Sequence, residues 1–438
     1  MNRHFEGAVY LPGDDGYEAH RRPLRADLDP HPAIVIEALS ASDIRIAIAA
    51  ARERQMPFAV QATGHGTHVA CDGGILVKTS AMTRVLVDPD RRIARVGPGT
   101  RWSDVLAAAT PFGLAPLSGS SPSVGVTGYT LGGGVGWLSR KFGFAADNVL
   151  RAQVVTADGR LLMASPDQHP DLFWALRGGG GNFGVVTSLE FQLHPVAQVY
   201  AGSASFAVDS AAKTVALYRD WAANAPDEMS TAIVLRQTPD GTRELVIKAM
   251  YTGDADVARK LLAPLWTVAG PALREDFRSM PYAEAAMGGT AARYLDLFRE
   301  LPDPMIDVLI AAHEQTGSTV EIRHWGGAMA NPGPNAGPVG HRDVPFSVIL
   351  DAPTPQLAQS LQPYGIGGSF LNFLGDTTKT HTAFTPANYA RLQEVKASYD
   401  PENLFRINHN IAPSRIERRG VEVGRVLHRR GHLVAGRS

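Results

Sequence analysis

The stretch from Phe58 to His68 joins a predicted strand to a turn built from small residues. The strand covers residues 57–60, and Gly64 and Gly66 follow it closely. Because no bulky side chain obstructs these glycines, backbone N–H groups of the turn can converge on an anion. His65 lies between the two glycines, so the bend presents its ring to whatever occupies that space. The stretch therefore predicts an anion-binding turn that carries a histidine.

The size and charge of the chain limit what it can be. A length of 438 residues exceeds one ordinary hydrophobic core, so two domains are expected. A content of 44% hydrophobic and 19% charged residues is typical of a soluble globular protein. Lys and Arg total 42 against 43 Asp and Glu. This balance argues against nucleic acid or an acidic membrane as the main partner.

Cys71 is the single cysteine of the chain, which excludes an intrachain disulfide framework and suits a reducing compartment. The sequence begins without an apolar run of signal-peptide length, and no later stretch is long enough to cross a bilayer. We expect a cytoplasmic protein.

Glycines cluster a second time between Ser118 and Gly143, where we find neither helix nor strand periodicity. Such a glycine density inside a domain predicts backbone packed directly against something flat or crowded. After Pro195 the clusters stop and strands alternate with helices. The block from about 196 to 385 is therefore interpreted as a separate α+β lobe with an antiparallel sheet.

The sequence also contains partial nucleotide-binding and metal-binding motifs. Residues 179–184 satisfy G-x-G-x-x-G, but they follow a predicted helix and open a predicted strand, the reverse of a Rossmann loop. His65, His68, Cys71 and Asp72 lie close in sequence, yet no paired Cys-x-x-Cys or His-Glu-x-x-His accompanies them, so no metal site is predicted. A phosphate-binding P-loop and a G-x-S-x-G elbow are also missing from the sequence.

Seven segments match, in the same order, segments of one flavoprotein family, and they lie at both ends of the chain. They are Ala62-Thr63-Gly64-His65-Gly66, Val96-Gly97-Pro98-Gly99, Val124 to Trp137, Asp147-Asn148, Asp171 to Val186, Tyr399 to Phe405 and Asn408-His409-Asn410. Each segment is weak alone, but the ordered set is specific. Because of this ordered set, the chain resembles the berberine-bridge-enzyme-like branch of the vanillyl-alcohol oxidase / p-cresol methylhydroxylase (PCMH) superfamily.

The resemblance implies an α+β fold. A two-lobed flavin-binding domain of the PCMH type would carry an α+β substrate cap with an antiparallel sheet. It implies an FAD-binding domain at 1–195, a cap at 196–394 and a C-terminal return to the FAD-binding domain at 395–413. Residues 414–438 form a basic extension with seven arginines, which suits a solvated segment or a packing arm.

The resemblance also implies covalent FAD, because in this family the turn around His65 wraps the FAD pyrophosphate and the histidine is bonded to the flavin 8α-methyl carbon. Some relatives add a second bond from a cysteine, but here that position is Ser121, so we expect a single link. The implied cofactor-binding residues are Ala62, Thr63, Gly64, His65, Gly66, Thr67, His68, Ser121, Pro122, Val124, Gly125, Gly128, Tyr129, Gly132, Gly133, Gly134, Gly136, Trp137, Gly184, Val185, Val186, Asn408 and Asn410.

The proton acceptor is harder to place. Many relatives use a tyrosine in a Tyr-x-Asn-Tyr segment, but both phenols are replaced here, by Phe370 and Phe373. The strand after Arg342 also lacks an obvious carboxylate. Our catalytic candidates are Tyr129 and His324. Along the predicted strand of His324, alternation puts Glu321, Arg323 and Trp325 on one face and Ile322 and His324 on the other.

The implied function is an FAD-linked oxidase that moves hydride from an alcohol or amine C–H of a small organic substrate to the flavin, with O₂ as acceptor. Two alternatives stay open: a flavin dehydrogenase that uses another electron acceptor, and a non-catalytic protein that binds flavin or a small molecule. Aromatic residues of the cap suit a planar or apolar substrate.

Overall fold

The computed structural model describes residues 5–414, and three sheets organise this part of the chain. The first sheet has the order β1-β2-β4-β3, in which β2, β4 and β3 are parallel and β1 is antiparallel. Its strands are β1 (Val9–Tyr10), β2 (Ile34–Glu37), β3 (Phe58–Gln61) and β4 (Ile75–Lys78), with helices α1 (Tyr17–Arg21) and α2 (Ala41–Glu53) beside them. The strand predicted at 57–60 is thus present one residue later, and its C-terminal end leads into the turn that carries His65.

The second sheet is antiparallel and has the order β5-β6-β9-β7-β8. Its core holds Trp102, Phe183 and Phe191, all buried. Its strands are β5 (Val85–Asp88), β6 (Ile93–Val96), β7 (Val149–Val155), β8 (Leu161–Ala164) and β9 (Val185–Gln192), and its helices are α3 (Trp102–Ala109), α4 (Val126–Leu131), α5 (Ser139–Phe142) and α6 (Pro170–Leu176).

The third sheet confirms the predicted antiparallel sheet of the middle lobe. Its order is β13-β10-β12-β11-β16-β17-β15, and β14 also pairs with β10. Its strands are β10 (Gln198–Ala207), β11 (Met229–Gln237), β12 (Arg243–Tyr251), β13 (Arg274–Glu275), β14 (Arg278–Pro281), β15 (Tyr294–Phe298), β16 (Val320–His324) and β17 (Phe346–Leu350), and its helices are α7 (Ala211–Ala222), α8 (Ala255–Ala269), α9 (Asp303–Thr316) and α10 (Pro355–Leu361).

The two faces of the third sheet have different neighbours. Ile233, Ile247 and Ile322 point to the face covered by α7, α8, α9 and α10, where they form one buried apolar cluster. On the other face, Ala232 and Met250 pack with residues of the glycine-rich segment. Because side chains alternate along a strand, each strand contributes to both faces. The second face therefore closes over the part of the fold that the second sheet and its helices form.

The expectation that Ser118–Gly143 lacks regular structure is wrong in two places. Helices α4 and α5 both lie within this segment, although each is shorter than two turns. Gly125 precedes α4, Gly132 follows it and Gly128 lies within it, so the helix forms despite its glycines. Periodicity cannot be detected over so few residues, which explains why the sequence did not indicate these helices.

The described C-terminal region returns to the first two sheets. Helix α11 (Pro386–Tyr399) begins after Thr385, whose hydroxyl accepts a hydrogen bond from the N–H of Asn388, as the Thr-Pro pair predicts. Beyond α11, Leu404 and Phe405 pack in the core of the first sheet. None of the helices in residues 5–414 has the length and apolarity needed to cross a membrane. The predicted basic extension at 414–438 lies outside the described residues, apart from Ser414.

A buried ion pair fixes this C-terminal return. Lys396 and Asp400 are both fully buried, and their Nζ–Oδ2 distance is 2.6 Å. Lys396 Nζ also donates to the carbonyl oxygens of Asn182 (2.7 Å) and Phe405 (2.9 Å). Asp400 accepts hydrogen bonds from the N–H groups of Leu404 and Phe405. The pair therefore links α11 to the loop before β9 and to the turn that follows.

Replacing Lys396 by Met leaves the Asp400 carboxylate buried without its cation. We expect the free energy of unfolding, measured by chemical denaturation, to fall by about 3–5 kcal/mol. Lys379→Met is the matched control, because Lys379 pairs with Asp376 at 3.9 Å on the surface and should contribute less than about 1 kcal/mol. Equal losses in the two variants would contradict this account of the C-terminal return.

Candidate flavin and substrate site

A cavity of about 610 Å³ lies where the three sheets meet. This volume falls within the usual range for a small-molecule or cofactor site. Its wall consists of four segments that belong to the first two sheets and three that belong to the third sheet or follow it in the chain. They are 58–68, 119–135, 180–186 and 405–409 on one side, and 289–291, Arg323 with Ile349, and 371–373 on the other.

The turn at residues 61–68, here called the His65 turn, follows β3 directly into the cavity. Gly64 has φ +83°, a conformation that suits glycine, and a Cβ there would lie 3.2 Å from the backbone nitrogen of Leu24. Nδ1 of His65 is 2.9 Å from the Thr63 hydroxyl, and its Nε2 is 3.3 Å from the hydroxyl of Ser123. Burial, reinforced by Arg101, lowers the pKa of His65. The ring is therefore neutral at pH 7.

Asn408 holds the His65 turn from the other end of the chain. Its Oδ1 accepts hydrogen bonds from the backbone N–H groups of His68 (2.8 Å) and Val69 (2.9 Å). Its Nδ2 donates to the carbonyl oxygen of Gly66 at 3.2 Å. Asn408 itself has φ +77°, a conformation in which asparagine is tolerated better than most residues. One amide side chain thus makes three hydrogen bonds to backbone groups of the turn that have no backbone partner.

Most of the expected cofactor-binding residues lie on the cavity wall, while a minority do not line it. Gly136 is behind the wall because a Cβ there would lie 2.0 Å from the carbonyl oxygen of Ser118, and Gly134 because it packs against the Tyr129 ring. On the wall are Ala62, Thr63, Gly64, His65, Gly66, Thr67, His68, Ser121, Val124, Gly125, Gly128, Tyr129, Gly132, Gly184, Val185, Val186 and Asn408. Six do not line the cavity: Pro122, which is exposed, and Gly133, Gly134, Gly136, Trp137 and Asn410.

The wall also contains residues that the sequence did not single out. Asn182 lines the cavity, and its side chain joins the carbonyl oxygens of Gly179 and His409 to the N–H of Ile411. Asn372 donates to the carbonyl oxygen of Tyr129 and accepts from the N–H of Gly134. Asn372 could have been found, because it is the polar residue left between Phe370 and Phe373. Further wall residues include Thr79, Pro98, Thr127, Thr290, Ile349, Leu371, Ile407 and His409.

The structure does not bring His324 to the cavity. His324 shares its face of β16 with Val320 and Ile322, and that face packs on the helices of the third lobe. Its Nε2 is 2.9 Å from Nη1 of Arg140, and the residue is 7% exposed. Burial, with Arg140 adding to it, lowers its pKa to about 3. His324, one of the two predicted catalytic residues, therefore lies away from the cavity, and Arg323 is the residue of β16 that lines it.

Tyr129 lines the cavity with its ring, but its hydroxyl points elsewhere. The hydroxyl oxygen is buried and has no hydrogen-bond partner in residues 5–414. Burial raises the pKa of Tyr129 well above 10, Tyr282 adds to this effect and Arg323 opposes it. A phenol that stays protonated and lies away from the cavity surface cannot take a proton from a substrate directly. Tyr129 therefore shapes the wall.

The ionisable groups that do reach the cavity, within the described residues, are few. They are the three imidazoles of His65, His68 and His409 and the guanidinium of Arg323. Burial lowers the pKa of His68, and it lowers the pKa of His409 to about 4. No Asp or Glu lies on the described wall, and residues 5–414 hold no group of three or more potential metal ligands. At pH 7 the wall therefore holds neutral imidazoles and one cation.

Comparison with known proteins identifies the family. Residues 32–165 match the family model described as "FAD binding domain", and residues 369–412 match the model "Berberine and berberine like". The chain is 30% identical to (R)-6-hydroxynicotine oxidase of Paenarthrobacter nicotinovorans, over 93% of this chain and 97% of that protein. It is 27% identical to an FAD-linked oxidoreductase of Dictyostelium discoideum, over 93% and 95% of the two chains.

Solved structures agree with the sequence comparison. 6-Hydroxy-D-nicotine oxidase of Arthrobacter nicotinovorans superposes with a TM-score of 0.83 at 26% identity, covering 93% of this chain and 98% of that one. Berberine bridge enzyme of Eschscholzia californica superposes with a TM-score of 0.78 at 20% identity, covering 93% and 97%. The fold is that of PCMH-type flavoproteins. The chain belongs to the berberine-bridge-enzyme-like family of FAD-linked oxidoreductases, and both the predicted family and the predicted fold class are confirmed.

The wall suits FAD. A Cβ added at Gly128 or Gly181 would meet no protein atom within 4 Å, so side chains there would project into the cavity. The free N–H groups of the His65 turn can compensate diphosphate charge without a helix dipole. A planar ring can lie against glycine backbone where larger residues would prevent contact.

Replacing Asn408 by Ala removes the acceptor of two backbone N–H groups in the His65 turn. We expect amide hydrogen exchange of residues 66–69 to accelerate by an amount that corresponds to about 1–3 kcal/mol, with lower retention of flavin. Asn331→Ala is the control, because Asn331 donates only to Gly327 at an exposed site. Unchanged amide exchange at residues 66–69 in Asn408→Ala would show that the turn keeps its conformation without Asn408.

Proposed function

We propose that the protein is an FAD-linked oxidase, that its flavin is bonded to His65 alone, and that it oxidises a small organic alcohol or amine with O₂ as electron acceptor. One observation carries this proposal: a neutral His65 ring stands at the cavity wall on a turn held open by glycines and by Asn408. A neutral imidazole is a competent nucleophile toward an electrophilic carbon. FAD, when bound, supplies the hydride acceptor.

A single covalent link is supported by the surroundings of the turn. Ser121, at the position where a second link would form, carries a hydroxyl that lies 2.9 Å from that of Ser123. Cys71 is 3% exposed and is not part of the cavity wall. Burial raises the pKa of the Cys71 thiol to about 12. A buried thiol without its thiolate form is a poor nucleophile.

The composition of the wall favours an amine over an alcohol. An alcohol must lose its O–H proton as hydride leaves carbon, whereas a neutral amine uses its nitrogen lone pair and forms a C=N bond without a base. The described wall has no carboxylate, and the Tyr129 hydroxyl does not reach the cavity. Apolar residues such as Ile349 and Leu371 exclude water around the substrate.

We also propose how the chain is divided. Residues 1–195 would form the FAD-binding domain, and the substrate cap would begin at 196. The expected end of the cap at 394 should move to about 368, because Leu371, Leu374 and Phe384 pack in the core of the second sheet. The family match at 369–412 supports the earlier boundary. A cytoplasmic location, expected from the single Cys71, stays part of this proposal.

The covalent link is tested by acid precipitation. We expect flavin to remain with the precipitated wild-type protein and to be released from, or missing in, the His65→Ala variant, because the bond through His65 has no substitute. His68→Ala is the matched control and should keep acid-stable flavin, since its backbone N–H still bonds to Asn408. Acid-stable flavin in His65→Ala, or its release from the wild type, would contradict the single link.

The reaction is tested by anaerobic reduction followed by exposure to air. Cyclic and secondary amines should bleach the flavin faster than matched alcohols, and air should restore the colour within seconds, with release of H₂O₂. The value of kcat/KM should rise with pH along the titration of the amine substrate, because the imidazoles on the wall are already neutral at pH 7. Slow reoxidation of the reduced flavin by air would favour a dehydrogenase. If no substrate class bleaches the flavin, a non-catalytic flavin-binding protein would be favoured instead.

A further inference from the structure

Arg323 is the one Asp, Glu, Lys or Arg residue on the described part of the cavity wall. It lies on β16, and its side chain points away from the helices because its neighbours Ile322 and His324 point toward them. The residue is 9% exposed. A full positive charge therefore borders a cavity with several apolar residues on its wall.

The guanidinium of Arg323 is fixed by hydrogen bonds, but one of its nitrogens has no hydrogen-bond acceptor in residues 5–414. Its Nε donates to Oε1 of Glu321 at 2.9 Å, and its Nη2 donates to the same oxygen. Nη1 makes no hydrogen bond to any residue from 5 to 414. The guanidinium carbon lies 5.5 Å from the centre of the Trp137 ring, which fixes the plane of the group. One edge of the fork thus remains available to a ligand.

Glu321 does not fully neutralise the positive charge around Arg323. Glu321 is fully buried, and its Oε2 accepts a hydrogen bond from the N–H of Thr290 at 3.0 Å. Burial alone would raise its pKa, but Arg323, the hydrogen bond from Thr290 and the charge of Lys248 together bring it below its ordinary value. Glu321 is therefore ionised and pairs directly with Arg323, while Lys248, whose Nζ donates to the carbonyl oxygen of Met287, adds a second positive charge nearby. The local charge is left positive.

An incompletely compensated cation beside an apolar cavity is costly unless an anion reaches it. A guanidinium fork matches a carboxylate in shape as well as in charge. The cap side of the wall has no other charged group in the described residues. Val135, Ile349, Leu371 and Phe373 also line the cavity and suit an apolar body.

We propose that Arg323 binds a carboxylate of the substrate, so that the enzyme acts on an apolar amine or alcohol that also carries a carboxylate group. This inference rests on the proposed function, because it assigns the substrate class of the same cavity. Arg323 would anchor the carboxylate while the apolar wall holds the rest of the molecule near the flavin. The competing use of the charge, stabilisation of the reduced flavin, is an outcome of the test below.

The test compares benzoate with benzamide, which has nearly the same shape and no charge. Isothermal titration calorimetry on the protein as purified, with its flavin, gives both dissociation constants. We expect benzoate to bind at least tenfold more tightly than benzamide. In Arg323→Met, benzoate affinity should fall about 10- to 100-fold, and benzamide affinity should change less than about threefold. Equal affinities of the wild type for the two ligands, or no binding of benzoate, would overturn the proposal.

Three further variants keep the result interpretable. Arg323→Lys retains the charge but not the fork and should bind benzoate with intermediate affinity. Arg323→Met combined with Glu321→Gln removes both charges, so it avoids the buried unpaired carboxylate that could unfold the single variant. Arg236→Met is the matched control. Arg236 also pairs with a buried glutamate of the same sheet, Glu244, at 3.2 Å, but it does not line the cavity.

The outcomes separate this inference from the proposed function. If Arg323→Met shifts the midpoint potential of the flavin while its affinity for benzoate is unchanged, the charge serves the flavin and the substrate proposal is wrong. If the flavin is never reduced by amines or alcohols but benzoate binding depends on Arg323, the anion site stands and the oxidase proposal fails. The same loss of benzoate affinity in Arg236→Met would contradict the inference.

Discussion

The site depends on hydrogen bonds between residues about 340 positions apart in the chain. Asn408 supplies the acceptor and donor that the His65 turn cannot provide for itself. Without them, two N–H groups and one carbonyl of a glycine-rich turn would compete for solvent beside the cavity. The turn needs small residues so that a cofactor can approach its backbone, and small residues cannot hold a turn in one conformation. Asn408 resolves this conflict from outside the turn.

The same requirement explains the order of the C-terminal elements. Lys396 and Asp400 are fully buried, and they join α11 to the loop before β9 and to the turn at Phe405. Asn408 follows Phe405 closely in the chain. The ion pair therefore fixes the segment that carries Asn408, and Asn408 fixes the His65 turn. Ionised groups at such depth are stable only when every partner is in place. The flavin side of the cavity is therefore organised by polar contacts.

The cap side is organised differently. The third sheet packs its helices on one face and leaves the other to close the cavity. Glu321 and Arg323 lie on the cavity side, with Ile349 of the adjacent strand, which gives this face an apolar surface with a single cation at the wall. Under the proposals above, the flavin lobe would supply the cofactor and the cap would select a substrate by charge.

Much of this could be predicted from sequence, and the failures have physical causes. The glycine turn with His65 was visible because its residue types are unusual in any other setting. Alternation along β16 correctly separated Arg323 from His324, but it cannot say which face meets the cavity, because that depends on where the helices pack. The depth of the Tyr129 hydroxyl likewise depends on tertiary packing. Asn182 makes its contacts across long sequence separations that no local pattern reports.

An experimental electron-density map of the protein purified from riboflavin-supplemented cells tests the central claim most directly. The account predicts continuous density from the His65 ring to a flavin that passes Gly128 and Gly132 and faces Arg323 across the cavity. Flavin density separated from His65, a flavin bound elsewhere, or a cavity filled only by water would contradict it.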